Sequence, residues 1–290
     1  YFHIEYKLSV SLMHLLICYG TRPELIKLMP LINLIKETGL IKYKLVFSGQ
    51  HSDLVKEEKA DHIIQIHDNG SNRLDSIITS IMSQSSDIYN DITHVLVQGD
   101  TTTSLGFALS AYNRKIPIIH LEAGLRTYDL EQPYPEEGNR QLISRLTNIH
   151  LCPTENNKQN LLNEKCNGSI YVVGNTVLDN IKKYKHCITY ENIVLVTLHR
   201  RENHRIIDKY FTEIEELARS NPGIKFILPI HPNPNVQKHK HILKHVNIMD
   251  PLTHSDLIDI LIKCLFIITD SGGLQEEGSF LEKKIIICRE

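Results

Sequence analysis

The feature that most constrains this chain is its rhythm: eleven short apolar runs, rich in β-branched residues, alternate with amphipathic stretches long enough to form helices. Six runs come first, at Leu15 to Tyr19, Tyr43 to Phe47, His94 to Val97, Ile116 to Leu121, Ile149 to Cys152 and Tyr171 to Val173. Five follow, at Ile193 to Thr197, Lys225 to Pro229, Val246 to Met249, Leu265 to Thr269 and Lys284 to Cys288. The runs are continuous rather than alternating, as expected of strands covered on both faces by crossover helices. Two series of such strands predict two doubly wound α/β domains, each with a parallel sheet. The Lys-rich stretch Lys182 to Lys185, read as a solvated helix or linker face, separates them. The predicted domains are 1–178, in which 1–12 form an extension ahead of Met13, and 179–290.

Helix signals occupy the intervening stretches. Thr212 to Arg219 ends at Asn221-Pro222-Gly223, and Ser255 to Cys264 begins with a Ser positioned as an N-cap. At 290 residues with 41% hydrophobic and 23% charged, the chain is ordinary for a globular protein, which excludes disordered and fibrous classes. Lys and Arg number 32 against 34 Asp and Glu, with no like-charged block, so neither nucleic acid nor a membrane surface is a predicted partner. Six scattered cysteines without a C-x-x-C pair suggest a reducing, intracellular compartment rather than a disulfide framework or zinc site. His241 and His245 are spaced to share a helix face, but no carboxylate or thiolate lies near them in sequence. The segment reads as a solvated helix, and neither a metal nor a cofactor is assigned. Leu8 to Tyr19 lacks a cleavage signal and reads as a buried first strand. A start at Tyr1 and an end directly after a strand-like run suggest a piece of a longer chain.

Five strand ends carry acids, bases or glycine turns, the positions where open α/β sheets bind ligands. They read GTRPE from Gly20, GDTTT from Gly99, HLEAGLRT from His120, TLHRREN from Thr197 and DSGGLQEE from Asp270. Gly20, Thr21 and Pro23 suit a capped helix start that turns backbone N–H groups and Arg22 toward an anion, or else form a cap with solvated charges. Asp100 sits at a sheet crevice, although it could equally cap the helix that follows. Glu122 precedes Ala123-Gly124, a turn rather than a helix start, and with His120 and Arg126 nearby it is a candidate general acid or base. Glu136 and Arg140 are spaced to lie on one helix face behind Pro135, with a surface ion pair as the plain alternative. His199 emerges beside Arg200 and Arg201, a cluster suited to phosphate or leaving-group charge, or a structural strand-end histidine. Ser271, Gly272 and Gly273 open a helix that carries Glu276 and Glu277, a pattern suited to a nucleotide diphosphate and its ribose.

In this order, GTRPE-x-IK, GQH at Gly49 to His51, GDTTT, EAGLRT, PEE-x-NR, HRREN and SGG-x-QEE resemble the non-hydrolysing UDP-N-acetylglucosamine 2-epimerase family across Met13 to Glu290. The resemblance implies a glycosyltransferase-B-like architecture with its site in the cleft between domains. It implies that UDP-N-acetylglucosamine and UDP-N-acetylmannosamine are interconverted by anti elimination of UDP, followed by re-addition to 2-acetamidoglucal. By position it assigns Asp100, Glu122, Glu136 and His199 to catalysis. Arg22, Lys27, Arg140, Ser271, Gly272, Gly273 and Glu277 fall to substrate binding. It also implies a cytoplasmic homodimer feeding surface-polysaccharide synthesis.

The sequence departs from the family pattern at three places. Pro251-Leu252 is followed by His254 and Leu257 where the family has aromatic residues framing uracil. Asp53 replaces a Gln in the GQH pocket linked to regulation, and the family's T-E-R-P-E loop and terminal helix lie beyond the position of Glu290. The alternatives to an epimerase are a nucleotide-sugar glycosyltransferase of the same architecture, which needs no dense acid set in its first domain, a hydrolysing epimerase, and a truncated, non-catalytic UDP-sugar-binding protein.

Overall fold

The computed structural model describes residues 13–50, 60–67, 70, 72–198 and 200–288, with the side chains of Arg201 and Glu202 excluded. The expected extension 1–12, His51, Asp53 and His199 therefore lie outside the described residues. The chain divides into two compact units, 1–176 and 177–290, two residues ahead of the boundary expected from sequence.

Among the described residues, the first unit is built on a seven-stranded sheet. Its strands are β1 (His14–Tyr19), β2 (Lys42–Phe47), β3 (His62–Ile63), β4 (His94–Gln98), β5 (Ile118–Leu121), β6 (Ile149–Cys152) and β7 (Ser169–Val172). Their order is β3-β2-β1-β4-β5-β6-β7, and every pairing is parallel. Side chains alternate across this sheet. Leu16, Cys18, Val95 and Val97 pack with Ile77, Ile81, Phe107 and Ala108 of helices Arg73–Met82 and Thr102–Asn113. Leu15, Ile17 and Tyr19 turn the other way, onto Leu25, Leu28 and Ile32 of helix Arg22–Thr38. Burial on both faces explains why the strands read as continuous apolar runs.

The second unit repeats the plan with β8 (Ile193–Thr197), β9 (Lys225–Pro229), β10 (Asn247–Met249), β11 (Phe266–Thr269) and β12 (Lys284–Ile287), ordered β10-β9-β8-β11-β12 and again parallel. Val194 and Val196 face helix Ile207–Ser220, while Leu195 and Ile267 face helix His254–Lys263. All eleven expected strands are present. The unexpected β3 is two residues long, too short to impose a pattern on the sequence.

Several local expectations shift. Helix Ile207–Ser220 begins before Thr212, and Thr253, not Ser255, caps helix His254–Lys263 by accepting the Asp256 N–H. The solvated helix expected through His241 and His245 shortens to a 3₁₀ turn at Lys240–Ile242. There Glu215 accepts from the backbone of Lys244 and His245 and lies 2.6 Å from His245 Nδ1, so a carboxylate distant in sequence pins the loop. No helix among the described residues is long and apolar enough to cross a membrane.

Candidate active site

In each sheet the strand order reverses beside one strand, and the loops leaving that point form the crevice where α/β sheets hold ligands. In the first unit the reversal lies between β1 and β4. Glu24, only 2% exposed, joins the two loops. Its Oε2 accepts the N–H groups of Gly20 and Thr21 and the Thr21 hydroxyl, while Thr101 donates to Oε1 at 2.7 Å. Burial pushes this carboxyl above the usual range, against the pull of those donors. A Cβ at Gly20 would overlap the side-chain oxygens of Thr103 and Ser48, so the loops approach this closely only with glycine there. Thr101, rather than Asp100, caps helix Thr102–Asn113 by accepting the Ser104 N–H, which leaves the Asp100 carboxylate for other work.

Asp100 Oδ2 accepts from Arg140 Nε at 2.8 Å and Nη2 at 2.7 Å, and Asn139 donates to the Asp100 carbonyl. These contacts dock the first turn of helix Glu136–Leu146 on the loop after β4. Pro135 is the N-cap of that helix. The Glu136–Arg140 ion pair, the plain alternative, does not form: Arg140 bonds Asp100 and Glu137 instead. Burial pushes the Glu137 carboxyl up, but hydrogen bonds from Gln141, Thr127, Arg140 and Tyr128 outweigh it and hold the group below its ordinary range. The Glu136 side chain, at the half-buried helix start, makes no hydrogen bond or ion pair among the described residues.

Glu122 leaves β5 in a left-handed backbone conformation, φ 66°, uncommon for a residue with a side chain. Its turn is locked on either side. Gly99 N–H donates to the Leu121 carbonyl and Ala123 N–H to that of Leu151, while Gly124, φ 86°, lies so close to the Asn157 carbonyl that no Cβ fits. Lys27 Nζ meets both Glu122 oxygens, at 2.7 and 2.6 Å, and the Gln98 side-chain amide donates to Oε2. Lys27, expected among the substrate-binding cations, is thus also the charge partner of Glu122. Arg22, half-buried, begins helix Arg22–Thr38 on the same edge.

Two groups expected beside Glu122 serve the scaffold instead. Arg126, with its side chain 0% exposed, forms a two-point pair with Glu164 at 2.6 and 3.0 Å and donates to Ser144. His120 is buried and donates through Nε2 to the Gly99 carbonyl at 2.7 Å, holding the Asp100 turn from beneath. Burial lowers its pKa to about 4, so it is neutral at ordinary pH.

In the second unit the order reverses between β8 and β11. Asp270, 0% exposed, again joins the two loops: Oδ2 accepts the Arg200 N–H and the Asn203 side-chain amide, both at 2.9 Å. Ser271 caps helix Gly272–Phe280, and Gly273 faces open space where a ligand can reach the backbone. Beside it lies a pocket of about 380 Å³. Its apolar wall comes from Leu198, Ile230, Pro251, Leu252 and Leu257, and Ser271, Gly273 and Glu277 supply its polar side. His254 Nε2 lies 2.9 Å from Glu277 Oε1, so the residue found where an aromatic was expected bonds the expected ribose-holding carboxylate. No cluster of three or more His, Cys, Asp or Glu able to hold a metal occurs among the described residues.

Gln98, Glu24 and Asp270 are the residues that sequence reasoning missed as supports. Glu24 and Asp270 stood within recognised motifs and Gln98 just ahead of one, but none carried a signal of this role, because the roles depend on partners 77, 70 and 24 positions away.

The UDP-N-acetylglucosamine 2-epimerase family matches residues 33–290. The chain is 37% identical to a UDP-N-acetylglucosamine 2-epimerase of Campylobacter jejuni, covering 95% of this chain and 81% of that protein. A crystal structure of the Neisseria meningitidis enzyme bound to UDP-GlcNAc superposes with a TM-score of 0.84 at 36% identity, covering 96% of this chain and 83% of that one. The Methanocaldococcus jannaschii enzyme in complex with UDP-GlcNAc and UDP gives 0.75 at 28% identity, covering 96% and 84%.

Proposed function

The chain belongs to the UDP-N-acetylglucosamine 2-epimerase family, and from that premise we propose that it interconverts UDP-N-acetylglucosamine and UDP-N-acetylmannosamine by elimination and re-addition of UDP. The hydrogen on carbon 2 of an acetamido sugar is not next to a carbonyl, so a simple deprotonation and return is out of reach. In the proposed route a base takes that proton while the C1–O bond breaks anti to it. The electron pair leaves with UDP, and 2-acetamidoglucal remains. Return of a proton to the other face of carbon 2, with re-formation of the C1–O bond, gives the epimer.

The observation that carries this reading is a set of three carboxylates: Asp100 and Glu122 just after the strands of the first sheet, held by Arg140 and Lys27, and Glu136 at the start of the helix that Asn139 and Arg140 dock on the Asp100 loop. Proton removal and return on two faces require acid and base groups from more than one loop, and these come from three chain segments. By family position, Arg22, Lys27 and Arg140 offset the charge of the departing diphosphate, and His199 is assigned to catalysis. In the second unit, the Ser271, Gly272 and Gly273 turn suits the diphosphate, Glu277 the ribose, and the aliphatic pocket the uracil face. The family resemblance also supports a homodimer.

The test is incubation of UDP-N-acetylglucosamine with the protein in heavy water. Deuterium at carbon 2 in both epimers is the expected result. Epimerisation that retains the original hydrogen overturns the elimination route. Release of UDP only with an added acceptor makes the protein a glycosyltransferase, and free N-acetylmannosamine makes it a hydrolysing enzyme.

A further inference from the structure

The carboxylate of Glu122 is held from two sides, and only one of the two groups holding it is a cation. Lys27 reaches it from helix Arg22–Thr38. Gln98, the last residue of β4 and the register partner of Leu121, reaches it from the neighbouring strand. Gln98 is itself fixed. It is buried, and the Ser104 hydroxyl lies 2.6 Å from its carbonyl and 3.1 Å from Glu24 Oε1, so the single hydroxyl proton favours the shorter contact. An amide side chain presents NH₂ on one branch and oxygen on the other, and a facing carboxylate selects the NH₂ branch. The contact differs in kind from that of Lys27, because an ammonium can move toward any nearby anion whereas a planar amide on a buried strand end cannot.

We propose that Gln98 is a positioning residue for the epimerisation, holding one oxygen of Glu122 so that the other is aimed at the sugar. This inference rests on the reading of the protein as an epimerase. An arriving diphosphate competes with Glu122 for Lys27, since both are anions. The amide is neutral and stays, so Glu122 keeps its aim when its cation turns to the substrate. The bond to Gln98 persists through the step at which the proton moves.

Gln98→Met keeps the length of the side chain and removes the donor. The expected result is a roughly ten- to hundredfold fall in kcat with KM within about twofold, the loss associated with one hydrogen bond to a charged group. In a Glu122→Gln background the same change should lower kcat no further, because both substitutions act through one contact. Parental kcat in Gln98→Met, or a full additional loss in the double variant, overturns the proposal. A second measurement needs no variant of Gln98: one side-chain amide proton of Gln98, followed by nitrogen-15 NMR, should shift when Glu122→Gln replaces the carboxylate. A signal indifferent to that replacement overturns the proposal even if Gln98→Met does not fold. If the unaltered protein does not epimerise at all, the functional reading fails, while the NMR pair still decides whether the amide holds Glu122.

Discussion

The two units share a device and use it differently. Each buries one carboxylate at the strand where its sheet order reverses, Glu24 in the first and Asp270 in the second, and each carboxylate ties the two loops that meet there. Around the loops that Glu24 ties, charge is dense: Asp100 pairs with Arg140, Glu122 pairs with Lys27, and Glu136 begins the helix that carries Arg140. Near Asp270 the ground is a greasy pocket with a glycine turn and one His–Glu pair. On the proposed function, the same brace supports a reacting surface in one unit and a holding surface in the other. The division follows from what each surface can do: close charges can move protons, whereas apolar walls and free N–H groups can only grip.

The largest effect should separate these roles outright. Glu122→Gln is expected to lower kcat by about three orders of magnitude or more, while calorimetric UDP binding stays within about twofold. Parallel loss of both would mean the units are not divided in this way. Next come the braces. Removing either carboxylate strands several buried donors, a loss on the order of 3 kcal/mol in denaturant unfolding. Glu24→Ala should additionally reduce turnover, and Asp270→Ala should weaken UDP binding. A swap of those two phenotypes would break the comparison.

The third test uses pH. His120 has a folded-state pKa lowered to about 4, and burial lowers that of His150 as well, whereas His245 and His254 of the second unit are not buried. Below pH 6.5 the unfolded chain binds a proton at His120 that the folded chain refuses. The stability is therefore fully present above pH 6.5 and is lost progressively as pH falls toward 4. At pH 5 the loss from His120 is about 2 kcal/mol. Hydrogen exchange should show it as reduced protection of β5 and β6, and His120→Asn should flatten the trend in that window. The smallest effect concerns the pocket: His254→Ala removes the group bonded to Glu277 and should raise the Kd for UDP about fivefold, near 1 kcal/mol, with kcat unchanged.

The sheets were legible because burial on two faces writes itself into consecutive residues, as at Leu15 to Tyr19 and Ile193 to Thr197. Glycine turns and strand-end acids were legible as well, since a turn and a charge at the end of an apolar run are local signals. What stayed hidden was pairing. Nothing near Arg126 in sequence announces Glu164, and nothing near Glu122 announces that Lys27 and Gln98 will close on it. Helix starts also moved, by five positions at Ile207 and by one at His254, where Thr253 rather than Ser255 is the cap. Such choices are settled by what the neighbouring loop leaves room for.

The left-handed backbone at Glu122 has a consequence for substitution at this position. A long side chain in that conformation costs on the order of 1 kcal/mol, which glycine avoids and asparagine lessens. That cost is set against the two partners the carboxylate satisfies, the Lys27 ammonium and the buried Gln98 amide. Glycine at position 122 would relieve the backbone yet leave the Lys27 ammonium and the buried Gln98 amide without this partner, so a backbone that looks costly by itself is held in place by what its side chain reaches.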